Sequence, residues 1–153
     1  MSGERFLVDT NILVYAYDRT EYTKQGRARQ VLDWLYRTGL GTLSTQVLGE
    51  FFAAVTRGIT EKMSAQDGYS IVKDYASSWK VLPMTAETIL ESARGVVEHQ
   101  FSYYDAQIWA TAKLNGIPDV LSEDFSHGRR IEGVEFHNPL LGPLPGEASR
   151  LSH

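Results

Sequence analysis

Cysteine is missing from the whole 153-residue chain. Disulfide bonds and thiolate zinc sites are therefore excluded, and the composition is compatible with a reducing compartment. Long apolar stretches are missing too, since none approaches the ~20 residues that a membrane-spanning helix needs. The opening MSGERFLVD leads directly into a strand-like segment and lacks the hydrophobic region of a signal peptide. We therefore expect a cytoplasmic protein.

The chain also lacks an excess of basic residues. It has 15 Lys and Arg against 19 Asp and Glu, a net charge of −4, whereas nucleic-acid-binding domains are usually basic. This balance argues mildly against nucleic-acid binding, but the argument weakens if several of the acids belong to one metal site. Local basic groups such as Arg129 and Arg130 fit either solvated surface charge or contacts with RNA phosphate.

Helical and strand-like patterns alternate from one end of the chain to the other. A chain of this length favours one domain, and strands separated by helices favour a parallel sheet covered on both faces. We expect an α/β protein with three layers, α/β/α, and a central mainly parallel sheet of four or five strands. Residues 1–140 would form this domain, and residues 141–153, with Pro143 and Pro145, an irregular C-terminal tail. The predicted strands are Arg5–Val8, Thr42–Ser44, Trp79–Leu82, Val120–Ser122 and, at the edge, Gly133–His137.

Four acidic residues occupy informative positions. Asp9 directly follows the apolar run Phe6–Val8, and Asp124 comes shortly after the strand-like segment Val120–Ser122. Open α/β sheets bind ligands at the carboxyl ends of their strands. Glu50 and Asp105 lie in segments with helical periodicity. Several acids at one place repel one another unless a cation neutralises them or some take up protons, and an oxygen-only site suits Mg²⁺ or Mn²⁺.

Each acid also has a simpler interpretation. Asp105 precedes an apolar stripe at helical spacing, which places its carboxylate towards the core, but it also lies three residues after Ser102, where acids favour a helix start. Asp9 fits a turn with a helix cap, and Asp124 fits a polar strand end. Glu50 falls on the flank of its helix's apolar arc, so periodicity alone indicates a surface position. The histidines, which include His99, His127 and His137, lack a partner at metal-ligand spacing and are expected at the surface.

Four motifs carry these acids in order: FLVDTNILVY at 6–15, LSTQVLGEF at 43–51, SYYDAQIWATA at 102–112, and LSEDF at 121–125 followed by GVEFHNP at 133–139. Taken together, they resemble the PIN domain, and most closely the VapC-type toxins of toxin–antitoxin pairs. Any one motif is weak, whereas all four in order over about residues 5–140 are specific.

The resemblance implies an Mg²⁺- or Mn²⁺-dependent endoribonuclease that hydrolyses RNA through a metal-activated water. It assigns an acidic quartet of Asp9, Glu50, Asp105 and Asp124, with supporting roles for Thr10, Asn11, Ser122 and Glu123. Asp9, Asp105 and Asp124 would be the metal-binding residues, and Glu50 and Asp124 would act mainly through water. Glu123 and Asp124 are adjacent, so either could be the fourth acid. We favour Asp124 because it directly precedes Phe125.

The same resemblance implies three partners: an RNA substrate such as tRNA or ribosomal RNA, a VapB-like antitoxin, and a second copy of the chain in a homodimer. Arg129 and Arg130 are candidates for RNA contact.

Other classes of protein remain open. An aspartyl-nucleophile phosphatase or phosphotransferase usually has a second acid two residues after the nucleophile, where this chain has Asn11. A non-catalytic PIN-like binding module would not need all four acidic positions filled. A DNA-directed nuclease is not distinguished from a ribonuclease, because contacts with the RNA 2′-hydroxyl leave no short motif.

Overall fold

A six-stranded sheet flanked by helices forms the centre of the protein. The structure is a computed structural model and describes residues 5–58 and 62–147. The strands are β1 Phe6–Val8, β2 Gly41–Ser44, β3 Lys80–Leu82, β4 Asp119–Leu121, β5 Arg130–Ile131 and β6 Val134–His137. The helices are α1 Thr10–Tyr15, α2 Tyr22–Thr38, α3 Thr45–Arg57, α4 Ala65–Ser78, α5 Ala86–His99 and α6 Tyr103–Leu114.

The strand order β3-β2-β1-β4-β6-β5 places the first and fourth strands side by side in the middle of the sheet. All neighbouring strands are parallel except β5, which runs antiparallel to β6. Val8 pairs with Leu121 at the carboxyl ends of β1 and β4. The residues that follow these two strands therefore start from the same edge of the sheet, although more than a hundred positions separate them along the chain.

Local sequence explains where the helices begin and which side they bury. Residues of α2 at helical spacing, Ala28, Val31 and Leu35, are fully buried. The helix ends at Gly39, whose φ of 72° is left-handed and suits glycine. The side chain of Ser44 caps α3 by accepting a hydrogen bond from the Val47 N–H. Helix α1 contacts both α2 and α3, α3 contacts α4, and α5 packs against α6, so two groups of helices flank the sheet.

The expected α/β fold with its mainly parallel sheet is confirmed, with one strand more than the sequence indicated. The additional strand is β5, which has only two residues and is too short to show a periodic pattern. It pairs outside β6, so the prediction that the last strand lies at the sheet edge was wrong. A tight turn joins the two strands at Glu132 and Gly133, both with positive φ.

The segment after β6 is held against α2. The Arg27 guanidinium donates to the carbonyl oxygens of Pro139 and Gly142, and to both carboxylate oxygens of the fully buried Glu147. Leu144 is also buried in this segment. Residues 138–147 are therefore irregular but packed. The domain division at residue 140 stays a prediction, and residues 148–153 of the expected tail lie outside the described residues. Across the described ranges, no helix is both long and apolar enough to cross a membrane.

Candidate active site

Asp9 lies one residue beyond β1 with its carboxylate nearly buried, at 5% exposure. Its backbone N–H donates to the Leu121 carbonyl oxygen, which continues the pairing with β4. One carboxylate oxygen accepts from the Thr10 N–H at 2.7 Å, and the other accepts from the Ser122 hydroxyl at 2.7 Å. Asp9 thus caps α1, as the simpler interpretation held, and it also reaches the residue after β4. The Asp9 carboxylate therefore serves both as the cap of α1 and as part of the candidate site.

Ser122 ties the loop after β4 to the start of α1. Its hydroxyl oxygen accepts from the Asn11 side-chain amide at 3.2 Å and from the Asp124 N–H at 3.0 Å. The Asn11 side-chain oxygen in turn accepts from the Glu123 N–H at 3.2 Å. These bonds hold the backbone leading into Asp124, whose side chain is exposed.

Glu50 is brought to the same place by α3. Periodicity indicated a surface residue, but the side chain is half-buried and both of its oxygens are held. The Thr10 hydroxyl donates to one oxygen at 3.0 Å, and the Gln46 side-chain amide donates to the other at 3.0 Å. The same Gln46 amide donates to the Tyr104 carbonyl oxygen at 3.2 Å, which links α3 to the first turn of α6.

Asp105 occupies the first turn of α6. The cap of this helix is Ser102, whose hydroxyl accepts from the Asp105 backbone N–H at 3.2 Å. The Asp105 carboxylate is therefore not needed as the capping group. It is half-buried and lies within electrostatic range of Glu50 and Asp124.

The carboxylates of Asp124 and Glu50 lie close enough to act on both Asp9 and Asp105. Burial, reinforced by the nearby carboxylates of Asp124 and Glu50, raises the pKa of Asp9 to about 7 against the lowering effect of its two hydrogen bonds. Burial likewise raises the pKa of Asp105, again with Asp124 and Glu50 adding to the effect. No cationic side chain of the described residues contributes to either shift. The structure therefore brings the four predicted acids together.

Glu123 and Asp124 have different surroundings. The Glu123 carboxylate accepts from the Tyr15 hydroxyl at 2.5 Å and from the Lys24 ammonium at 2.8 Å. Asp124 lines a cleft of about 470 Å³ together with Thr10 and Asn11. Glu123 is thus neutralised by a partner of its own, whereas Asp124 faces the other acids. This arrangement favours Asp124 as the fourth acid.

The donor set fits a divalent cation. Burial and the neighbouring carboxylates both disfavour the charged forms of Asp9 and Asp105, which a bound cation would offset, and an all-oxygen set is the type that Mg²⁺ and Mn²⁺ prefer. Asp9, Asp105 and Asp124 are the residues that would hold such an ion, with Glu50 beside them.

A separate group of possible ligands lies elsewhere on the sheet. Among the described residues, Asp119, Glu135 and His137 are the only three possible ligands whose atoms all fall within 4.8 Å of one another, so no three carboxylates of the quartet lie that close together. His137 Nε2 lies 2.7 Å from Asp119, and Nδ1 lies 3.9 Å from Glu135, so each ring nitrogen already faces a carboxylate. At 6% exposure His137 is buried, and its expected surface position was wrong. Its neighbour His127 is exposed, as expected.

Arg129 and Arg130 line neither of the two clefts beside the acids. Arg130 forms an ion pair with Glu135, and the Arg129 guanidinium lies 5.4 Å from the centre of the Phe101 ring. Both residues therefore have partners within the fold, and their contact with RNA stays a prediction.

The PIN domain family matches residues 6–130, well over half of the chain. The chain belongs to the PIN domain family. A comparison with curated proteins gave no significant sequence match.

Among solved structures, this PIN domain is similar to VapC toxins and VapBC complexes. The DNA-bound VapBC of Salmonella typhimurium is 16% identical with a TM-score of 0.65, over 88% of this chain and 98% of that one. A toxin–antitoxin complex from Klebsiella pneumoniae is 18% identical with a TM-score of 0.62, over 87% and 96%. VapC20 of Mycobacterium tuberculosis, a toxin that cleaves the sarcin–ricin loop, is 18% identical with a TM-score of 0.59, over 75% and 86%.

The raised pKa of Asp9 predicts how stability depends on pH. In the unfolded chain the carboxyl titrates near its ordinary pKa of 3.8, and in the folded protein near 7. Between these values the folded state holds a proton that the unfolded state has lost, so the free energy of unfolding falls as pH rises from about 4 to 7. Chemical denaturation without metal should show this fall. Asp9→Asn should flatten it, and an equal slope in that variant would assign the effect to another group.

Gln46 is a site residue whose role the sequence did not reveal, although its position four residues before Glu50 was an available signal. We expect Gln46→Leu to lower kcat by about 10- to 100-fold, as loss of an orienting partner commonly does. Gln46→Glu should be worse, because it adds a fifth carboxylate. Steady-state kinetics would check this, with Gln30→Leu on exposed α2 as the matched control. Equal kinetics in the Gln46 and Gln30 variants would contradict the orienting role.

Proposed function

We propose that this PIN domain is a divalent-metal-dependent endoribonuclease of the VapC toxin type. One observation carries the proposal: Asp9, Glu50, Asp105 and Asp124 converge beyond the carboxyl ends of β1 and β4, with no cationic side chain of the described residues lowering the pKa of Asp9 or Asp105. A buried structural ion pair would include its own cation. This group of acids is instead suited to a bound metal ion. The positive charge of the ion would offset the carboxylates and attract a phosphate ester, so no further charged side chain is needed.

The residues of the site would have different roles. Asp9, Asp105 and Asp124 would hold the cation, and Ser122 keeps the first and last of these in a fixed relation. The two oxygens of Glu50 are held by Thr10 and Gln46, and Glu50 would orient the attacking water. A bound divalent cation supplies neutralisation of the charge that develops on the phosphoryl oxygens and lowers the pKa of water.

Similarity to the toxin that cleaves the sarcin–ricin loop supports RNA as the substrate class, and similarity to VapBC complexes supports an antitoxin partner. The experiment is a cleavage assay on RNA and single-stranded DNA of the same sequence, with Mn²⁺ and with Mn²⁺ plus chelator. We expect RNA cleavage that the chelator abolishes. Cleavage that survives chelation would remove the metal from the proposal, and cleavage of DNA alone would change the substrate class.

The toxin role has a separate test. Expression of the chain alone should slow bacterial growth, and co-expression of an antitoxin encoded beside it should restore growth. Light scattering of the purified protein should report a homodimer. Nuclease activity in vitro without any growth effect would leave the chemistry intact and remove the toxin role.

A further inference from the structure

Two clefts open beside the acidic quartet and meet at Thr10 and Ala54. The first, here the Arg57 cleft, has a volume of about 460 Å³. It is lined by Thr10, Glu50, Ala53, Ala54, Arg57 and Tyr104. The second, here the Asp18 cleft, has a volume of about 470 Å³. Glu50 lines the first cleft and Asp124 lines the second, so each cleft offers a strand bound at the acids a path away from them.

The charges of the two clefts differ. The Asp18 cleft is lined by the carboxylates of Asp18, Glu21 and Asp124 and by no lysine or arginine of the described residues. The Arg57 cleft contains one carboxylate, which belongs to the quartet itself, and one guanidinium. A polyanionic strand is repelled by the first lining and attracted by the second. Charge therefore selects the Arg57 cleft as the path of the strand.

Helix α3 forms the floor of this cleft. Glu50, Ala53, Ala54 and Arg57 follow the i, i+3, i+4, i+7 spacing of one helix face. Two helical turns, roughly 10 Å along the axis, separate the catalytic acid from the arginine. The two alanine side chains between them leave room for a sugar–phosphate backbone to approach closely. Arg57 is exposed at the end of α3 and forms no ion pair with any residue in the described part of the chain.

Tyr104 forms the opposite wall, directly before Asp105. Its side chain is 65% exposed, yet its backbone is fixed, because its carbonyl oxygen accepts the hydrogen bond from Gln46. The Tyr103 and Tyr104 rings meet edge to face with 5.8 Å between their centres, so the two rings are not stacked on each other. An exposed aromatic ring beside a basic side chain is an arrangement that proteins use to stack the bases of single strands.

We propose that the Arg57 cleft binds the nucleotide adjoining the scissile phosphate, with Arg57 on the neighbouring phosphate and Tyr104 stacked on the base. This inference rests on the proposed nuclease function and adds the residues that position the single-stranded substrate. Because a stacked ring accepts every base, the subsite selects an unpaired nucleotide rather than a sequence.

The test measures binding without cleavage. In an Asp9→Asn background, a labelled single-stranded RNA is titrated with Mg²⁺ present at several salt concentrations, and its fluorescence anisotropy is followed. Arg57→Gln should weaken binding and reduce the slope of log K against log salt by about 0.7, the value for one phosphate contact on a single strand. Arg37→Gln is the matched control, because Arg37 is exposed on α2, paired with Asp33, and lines neither cleft.

The stacking role is tested with Tyr104. Tyr104→Leu should weaken binding between about 5- and 100-fold, and Tyr104→Phe should retain it, because stacking needs the ring and not the hydroxyl. An RNA with an abasic residue beside the cleavage site should bind the Tyr104→Leu and unsubstituted proteins equally. In the active protein, both Arg57→Gln and Tyr104→Leu should raise KM more than they lower kcat.

The outcomes separate the two proposals. If the protein cleaves RNA but Arg57→Gln behaves as Arg37→Gln does, or Tyr104→Leu binds as tightly as Tyr104→Phe, the subsite is overturned and the nuclease stands. If the unsubstituted protein neither binds nor cleaves RNA, both are overturned.

Discussion

Replacement of Asp9 by asparagine is expected to lower RNA cleavage by about 1000-fold or more and to leave the fold intact. The change removes a charged oxygen ligand, and metal-ion stabilisation of a phosphoryl transition state is worth several kcal/mol. The asparagine oxygen can still accept the Thr10 N–H, so the cap of α1 survives. Asp105→Asn should lower cleavage to a comparable degree. It should also leave the fold intact, because α6 is capped by Ser102 and not by the Asp105 carboxylate. Single-turnover cleavage rates with saturating Mn²⁺ would measure both.

Thermal unfolding without metal provides the control for these variants. At pH 8 the Asp9→Asn protein should unfold at or above the temperature of the unsubstituted protein, because one repelling charge is gone. Loss of activity together with a collapsed fold would return Asp9 to a purely structural role. Asp124→Asn should lower the cleavage rate more than Glu123→Gln does, since Glu123 is bound to Lys24 and Tyr15. The reverse order would make Glu123 the fourth acid.

The second large effect is on stability. Arg27→Met should lower the free energy of unfolding by about 3–5 kcal/mol, the usual cost of leaving a buried charge without its partner. The Glu147 carboxylate is 1% exposed, and two backbone carbonyls lose their donor as well. For a chain of this size such a loss corresponds to a fall in Tm on the order of 10 °C. Urea denaturation would measure it.

The same helix offers a matched control. Arg37 pairs with Asp33 at the surface, with side chains 64% and 60% exposed, and Arg37→Met should cost only about 0.3–0.5 kcal/mol. The double variant Arg27→Met, Glu147→Leu should recover part of the loss, because it removes the unpaired charge. Equal unfolding midpoints for the Arg27 and Arg37 variants would show that the C-terminal segment does not stabilise the fold.

The regular part of the fold follows from local sequence. Caps such as Ser44, Thr85 and Ser102 and the apolar spacing of α2 are short-range signals, and the structure contains each of them. Strand β5 and the packing of residues 138–147 are not local. A two-residue strand has no period, and the burial of Glu147 depends on Arg27, which lies 120 positions earlier. Pairings at that separation leave no trace in a window of neighbouring residues.

The residues of the candidate site also differ in whether neighbouring sequence or distant contacts reveal them. Asp9 and Asp105 stand out from the sequence because each is a charge beside an apolar pattern. The bond from Gln46 to Glu50 spans four residues and was accessible from the sequence, but its second acceptor could not be predicted, because the Tyr104 carbonyl oxygen is 58 positions away. The different surroundings of Glu123 and Asp124 depend on Lys24, whose position across the fold no local pattern indicates.

The central pairing of β1 with β4 has a consequence for synthesis of the protein. Asp9 leaves the ribosome early, but its partner Ser122 is made 113 residues later, and Asp124 follows it. A nascent chain or a truncated product that stops before that point carries at most Asp9, Glu50 and Asp105, and it lacks the serine that joins Asp9 to the end of β4. On the proposed function, a polypeptide interrupted before residue 122 would therefore lack cleavage activity.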